Sequence, residues 1–150
     1  MRRRSTVASG EKPVTLRAMK AMLAFFALLL VSATMGRAAD VAKISSVEAA
    51  RRVASGQAIL IDVREPDEWT ESGVAEPAML LPMSDFNGEQ KLWKPFLAQN
   101  AGKELVLYCR SGNRSGKVAA KLAAQGKRVA NAGAFRDWEE AGLPVRKVEK

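Results

Sequence analysis

The sequence contains no histidine and only one cysteine, Cys109, in 150 residues. Without histidine there is no Ser-His-Asp triad, no Cys-His nucleophile pair and no His-ligated zinc site. One thiol excludes an internal disulfide, a Cys-x-x-Cys redox cycle and a four-thiolate metal centre. Neither a metal nor another cofactor is expected. A clear membrane span is also missing: the uncharged apolar stretch at residues 21–33 is shorter than the ~20 residues a spanning helix needs.

What the chain has in excess is positive charge, +8 in total. That sign suggests nucleic acid or an anionic membrane surface as a partner. Residues 1–38, however, hold seven basic residues against one acid, or +6, and residues 39–150 carry only +2. No basic stripe survives in the longer part, so nucleic acid is not an expected partner. The apolar fraction of 47% is ordinary for a globular protein.

Basic residues before the apolar run and small residues after it have the layout of a secretory signal peptide. Gly36-Arg37-Ala38 offers small residues at both cleavage-pocket positions, which places the cut after Ala38. The expected organisation is a leader over 1–38 and one domain over 39–150. The basic stretch before Met19 is long for a leader, while Met19-Lys20 runs directly into the apolar segment, so Met19 is read as the true start. An uncleaved N-terminal anchor is the alternative, and it also puts the domain outside the cytoplasm.

Beyond the leader, strand and helix signals alternate. Ser46 is read as the N-cap of a helix over Val47–Ala54 that Gly56 closes. Ala58–Val63 and Glu104–Tyr108 are apolar runs of strand length, as buried parallel strands require. A short helix starts at Pro66, with Asp67 and Glu68 in its first turn, and ends at Gly73. Met79–Leu81 is a short strand. A helix is expected over Gln90–Gln99, with Pro95 arguing for two shorter pieces. A further helix covers Ser115–Gln125, a strand Arg128–Ala130, and a last helix Phe135–Ala141. The fold class is α/β, a three-layer sandwich with a mainly parallel central sheet flanked by helices.

Cys109 follows the second strong strand and opens the loop Cys109-Arg110-Ser111-Gly112-Asn113-Arg114-Ser115, which leads into a helix. Ligands of open α/β sheets bind at this place, beyond the carboxyl ends of the strands. Loop amides and the helix N-terminus make an anion cradle. Gly112 gives the turn its freedom, and Arg110 and Arg114 add fixed positive charge. The same features lower a thiol's pKa and activate it without histidine. A lone cysteine is more often a small buried hydrophobe. The Gly- and Arg-containing loop and the retention of a free thiol in an exported chain argue for a nucleophile.

Three stretches carry a family resemblance. Leu60-Ile61-Asp62-Val63-Arg64-Glu65-Pro66-Asp67-Glu68-Trp69 is similar to the first motif of the rhodaneses. The loop with its flanks, Tyr108 to Gly116, resembles their active-site loop. Asn131-Ala132-Gly133-Ala134-Phe135, Trp138 and Gly142-Leu143-Pro144-Val145 resemble their C-terminal motif. Over residues 42–146 the chain resembles a single-domain rhodanese, and its leader makes it most similar to the exported, phage-shock type of Gram-negative bacteria.

The resemblance implies a periplasmic sulfurtransferase. Cys109 would take a sulfane sulfur from thiosulfate, or from a polysulfide or persulfide, and pass it as a persulfide to cyanide or a thiol. Arg110 is the candidate for the oxyanion end of thiosulfate. Arg114 either does the same or braces the loop through Asp62 or another acid. Asp62 and Arg64 are supporting residues, read as a buried ion pair. The family's Gly-His-Ile-Pro-Gly-Ala stretch is matched by Gly73-Val74-Ala75-Glu76-Pro77-Ala78, which lacks the histidine. A monomer is expected, with a small sulfur-containing anion and a thiophilic acceptor as its partners.

Two other functions use the same residues. One is a non-catalytic rhodanese-like module that carries persulfide or binds a partner. The other is a phosphatase or arsenate-type enzyme. Cys109 and Arg114 enclose four residues, where the phosphatases resemble Cys-x5-Arg, so the shorter ring favours sulfur. Trp69, Phe135 and Trp138 are read as core, Trp93 and Phe96 as packing before substrate contacts. The charges from Glu65 to Glu71 are read as a solvated helix face.

Overall fold

A continuous apolar strand is stable only where both faces of its sheet are covered. The computed structural model, which describes residues 41–149, meets that condition. The expected leader, the cleavage after Ala38 and the Met19 start lie outside the described residues.

The strands are β1 (Ala42–Lys43), β2 (Ala58–Asp62), β3 (Val74–Ala75), β4 (Met79–Leu80), β5 (Glu104–Cys109), β6 (Val129–Ala134) and β7 (Val145–Arg146). The helices are α1 (Ser46–Ala54), α2 (Pro66–Ser72), α3 (Met83–Asn87), α4 (Trp93–Gln99), α5 (Asn113–Ala124) and α6 (Phe135–Glu140). Five strands form a parallel sheet in the order β1-β6-β5-β2-β4, and β3 and β7 form a separate antiparallel pair.

Alternation along β5 splits the core in two. Leu105, Leu107 and Cys109 pack on one face with Ile61, Phe86, Trp93, Phe96, Val118 and Leu122. Val106 and Tyr108 pack on the other with Ala49, Leu60, Ala130, Phe135 and Trp138. Helices α3, α4 and α5 therefore cover one side, and α1 and α6 the other, as the α/β sandwich expectation requires. Trp69, Phe135 and Trp138 are core residues, and Trp93 and Phe96 serve packing. The Trp93 indole Nε1 also donates to the Pro82 carbonyl at 3.1 Å.

Several boundaries differ from the sequence expectation. The first helix begins one residue early, because Ser45 and not Ser46 is the cap, its hydroxyl accepting from the Glu48 amide at 3.2 Å. The helix expected over Gln90–Gln99 is only α4. The Asp85 carboxylate accepts from the amides of Lys91, Leu92 and Trp93 just before and at its start. Pro95 then falls in the first turn, where an amide would have no helical partner. Helix α3, unforeseen in the sequence, occupies Met83–Asn87. Strand β6 runs to Ala134, four residues past its expected end, and α5 begins at Asn113 instead of Ser115.

Candidate active site

Pairing carries β5 into the middle of the sheet, and its last residue is Cys109, fully buried at the carboxyl edge. A register shift against β6 between Leu107 and Cys109 sets Cys109 beside Ala134. The sulfur accepts a hydrogen bond from the Gly112 amide at 3.1 Å. The Ser115 hydroxyl lies 3.4 Å from it. Burial pushes the thiol up. The Ser115 hydroxyl and the amides of Ser115, Ser111 and Gly112 pull it down by more, so its pKa sits below the ordinary value.

The loop owes its shape to Gly112, which has φ +82°. A side chain there would meet both the backbone penalty of the left-handed region and the Gly133 Cα, 3.2 Å from the position of a Cβ. Asn131 of β6 closes the arrangement. Its Nδ2 donates to the Gly112 carbonyl at 2.9 Å, and its Oδ1 accepts from the Ser115 hydroxyl at 2.8 Å and the Gly133 amide at 3.0 Å. Ser111 and Asn113 are exposed on the outer side of the loop. They line a cavity of about 660 Å³ shared with Ser45, Ser46 and Asn131.

The two loop arginines part company. Arg114 donates twice to Glu68, from Nη1 at 2.6 Å and Nη2 at 2.7 Å. That pairing draws the Glu68 pKa down to about 2. Arg114 thus braces the loop against α2, and its acid is Glu68 instead of Asp62. Arg110 is exposed and makes no ion pair among the described residues. It lines a groove of about 400 Å³ that mixes charges, with Arg64 and Arg136 beside Glu68, Glu71 and Glu139.

Asp62 and Arg64 form the buried ion pair read from the sequence, with Arg64 Nη2 2.7 Å from Asp62 Oδ2. Arg64 also donates to Ser72 Oγ at 2.8 Å and to the Gly73 carbonyl at 2.7 Å. Its guanidinium lies 4.2 Å from the centre of the Phe135 ring. These contacts tie the end of β2 to α2 and α6, and leave Arg64 in a supporting position.

Two residues of the site escaped the sequence reading. Glu68 belongs to a charged segment read as a solvated face, yet it is half-buried against Arg114. Glu65 likewise leaves that face, its carboxylate accepting from the Ser84 amide and hydroxyl. Asn131 entered only as one letter of a motif. Its signal was a polar side chain inside the otherwise apolar run Val129-Ala130-Asn131-Ala132. Chemically, the assembled site offers a sulfur of lowered pKa and hydrogen-bond donors converging on it, with Arg110 exposed on the same loop.

The chain has recognisable relatives. An uncharacterized protein of Synechocystis is 39% identical over 93 residues, covering 61% of this chain and 48% of that protein. A protein of Schizosaccharomyces pombe, provisionally named a mitochondrial thiosulfate sulfurtransferase, is 34% identical over 94 residues, covering 55% of this chain and 63% of its own length. This chain therefore spans about half to just under two thirds of the relatives it matches. A rhodanese-related protein of Thermoplasma volcanium has the same fold, with a TM-score of 0.58 at 24% identity over 70% of this chain and 97% of that one. The Rhodanese-like domain model matches residues 45–141, a stretch that runs from the cap of α1 past the end of α6 and includes the whole Cys109 loop, so the chain belongs to the rhodanese-like domain family.

Proposed function

We propose that the protein is a single-domain sulfurtransferase of the exported type, working in the periplasm after loss of its leader. The observation that carries this reading is the Cys109 sulfur, which receives the Gly112 amide and stands within reach of the Ser115 hydroxyl. The likeness to a protein named as a thiosulfate sulfurtransferase supports the same reading.

In the proposed reaction the Cys109 thiolate attacks the sulfane sulfur of thiosulfate. A new sulfur–sulfur bond forms, the old one breaks, and sulfite leaves with its electron pair. The product is an anionic persulfide on Cys109, held by the donors that serve the thiolate. Cyanide or a thiolate then attacks the terminal sulfur and leaves as thiocyanate or a persulfide, which restores the Cys109 thiolate. Atoms and charge balance at both steps without a redox partner. Arg110 is the candidate for the sulfonate oxygens. Arg114, engaged by Glu68, shapes the loop instead.

Intact mass spectrometry tests the reading. Wild-type protein treated with thiosulfate gains the mass of one sulfur atom, and Cys109→Ser gains none. No gain in wild type, together with no thiocyanate from cyanide, removes the proposal. Hydrolysis of an aryl phosphate that disappears in Cys109→Ser would favour phosphatase chemistry.

The non-catalytic alternative draws on one observation, the complete burial of Cys109 in this conformation. Its partner-binding form predicts that a Cys109→Ser strain keeps the cellular function of the wild type, whereas a persulfide carrier loses it.

A further inference from the structure

Three groups outside Cys109 converge on its surroundings through one side chain. A serine hydroxyl has a single proton to donate. Ser115 Oγ has two acceptors in reach, Asn131 Oδ1 at 2.8 Å and the Cys109 sulfur at 3.4 Å. The shorter contact places the proton on Asn131 while the sulfur is a thiol. When the sulfur becomes an anion, it is the stronger acceptor.

If the proton turns to the sulfur, Asn131 Oδ1 keeps a second donor, the Gly133 amide at 3.0 Å. No buried acceptor is stranded by the turn. The amide orientation is fixed by its other end, since Nδ2 faces the Gly112 carbonyl at 2.9 Å. A flipped amide would set two donors against each other at Gly133 and two acceptors at Gly112. The same Nδ2 contact grips the glycine whose amide points at the sulfur. Ser115 and Asn131 are both buried.

We propose that Asn131 is a positioning residue for the reactive sulfur: from β6 its Nδ2 grips the Gly112 carbonyl, so that the Gly112 amide donates to a sulfur anion beside the Ser115 hydroxyl. Asn131 itself makes no contact with that sulfur. The inference deepens the reading above and rests on its premise that Cys109 acts as an anion. A persulfide on Cys109 carries the same charge and is served by the same two donors.

The test is a pH titration of the Cys109 thiolate, followed by its ultraviolet absorbance with Cys109→Ser as the blank. Cys109 is the only thiol in the chain, so the signal has one source. The charged groups around the sulfur region are Arg110 and Arg114 on the loop, Glu68 on α2, Asp62 and Arg64 at the end of β2, and Asp137 on α6. Asn131→Ala is expected to raise the midpoint by about one pH unit, a tenfold loss of thiolate at fixed pH below it. Ser115→Ala, which removes the other donor, raises it in the same direction.

An unchanged midpoint in Asn131→Ala overturns the proposal. If near-ultraviolet circular dichroism shows that Asn131→Ala does not fold, Asn131→Leu takes its place, since it preserves size, removes the Nδ2 donor and adds no charge. Its midpoint must also rise, and equality with wild type overturns the proposal. The titration uses no sulfur donor. A wild type that ionises early yet gains no sulfur from thiosulfate defeats the transfer reading alone, whereas normal sulfur loading with an unmoved Asn131 midpoint defeats the positioning role alone.

Discussion

Arg114 on the loop and Glu68 on α2 are joined by two hydrogen bonds of 2.6 and 2.7 Å across 46 positions of sequence. This pair connects the first turn of α5 to α2, so the loop is held from outside as well as by its own turns. Glu68 reaches the second anchor too, its other contact being the Glu65 amide at 3.0 Å.

Removing that carboxylate has a signed pH dependence. Glu68 is held at about 2, below its ordinary value, so its stabilisation is complete above an unfolded-state pKa of roughly 4.3 and fades as pH falls through about 2. Glu68→Gln should cost about 1 kcal/mol at pH 7, the pair being partly exposed. Urea unfolding of both proteins checks this: the gap stays constant from neutral pH down to about 5 and closes near pH 2. A gap that persists at pH 2 contradicts the assignment.

Arg110 should behave differently from Arg114. It is exposed and unpaired among the described residues, and its removal should leave the unfolding midpoint within about 0.5 kcal/mol of wild type. Arg110→Ala should instead slow sulfur loading by roughly tenfold at low thiosulfate, with most of the loss in KM and a weaker dependence on salt. Equal kinetics for Arg110→Ala and wild type would take the sulfonate contact away from this residue.

Gly112 and Gly126 form a matched pair for testing the loop. Both have positive φ, +82° and +77°, but a side chain at Gly126 meets nothing within 4 Å. Gly126→Ala should cost about 1 kcal/mol, the backbone penalty alone. Gly112→Ala adds a collision with Gly133 and should cost about 2–3 kcal/mol, and it should also raise the Cys109 midpoint. Thermal unfolding of the two variants compares them directly.

The buried pair Asp62–Arg64 makes the largest predicted loss. Asp62→Ala leaves a guanidinium 3% exposed without its counter-charge, which should destabilise by about 3–5 kcal/mol. Exchanging both partners for apolar residues should recover much of that loss, as measured by urea unfolding.

The parts of this molecule written in periodicity were legible from its sequence. Ala58–Val63 and Glu104–Tyr108 announced a buried parallel sheet because both faces of β2 and β5 are covered. Cys109, Gly112 and the arginines announced the cradle because the chemistry needs those types in a short loop. The partners of the charges were not legible. Glu65, Asp67 and Glu68 all lie in or beside one helical turn, and only packing in three dimensions selects Glu68 for Arg114 and Glu65 for Ser84. Asn131 was hidden for the same reason, since its contacts lie 16 and 19 positions away. The end of β6 was missed because Asn131 and Gly133 interrupt the apolar pattern where the strand in fact continues.

The sheet ends in two strands, β1 and β4, that are each only two residues long. A stray extended chain needs a longer ladder to dock on, so these outer strands make poor templates for intermolecular β-pairing. The long, apolar strands β2 and β5, which would be the most dangerous to leave uncovered, are sequestered inside. Resistance to self-association is thus built into the order of the strands, and shuffling that order would sacrifice it even if every core contact survived.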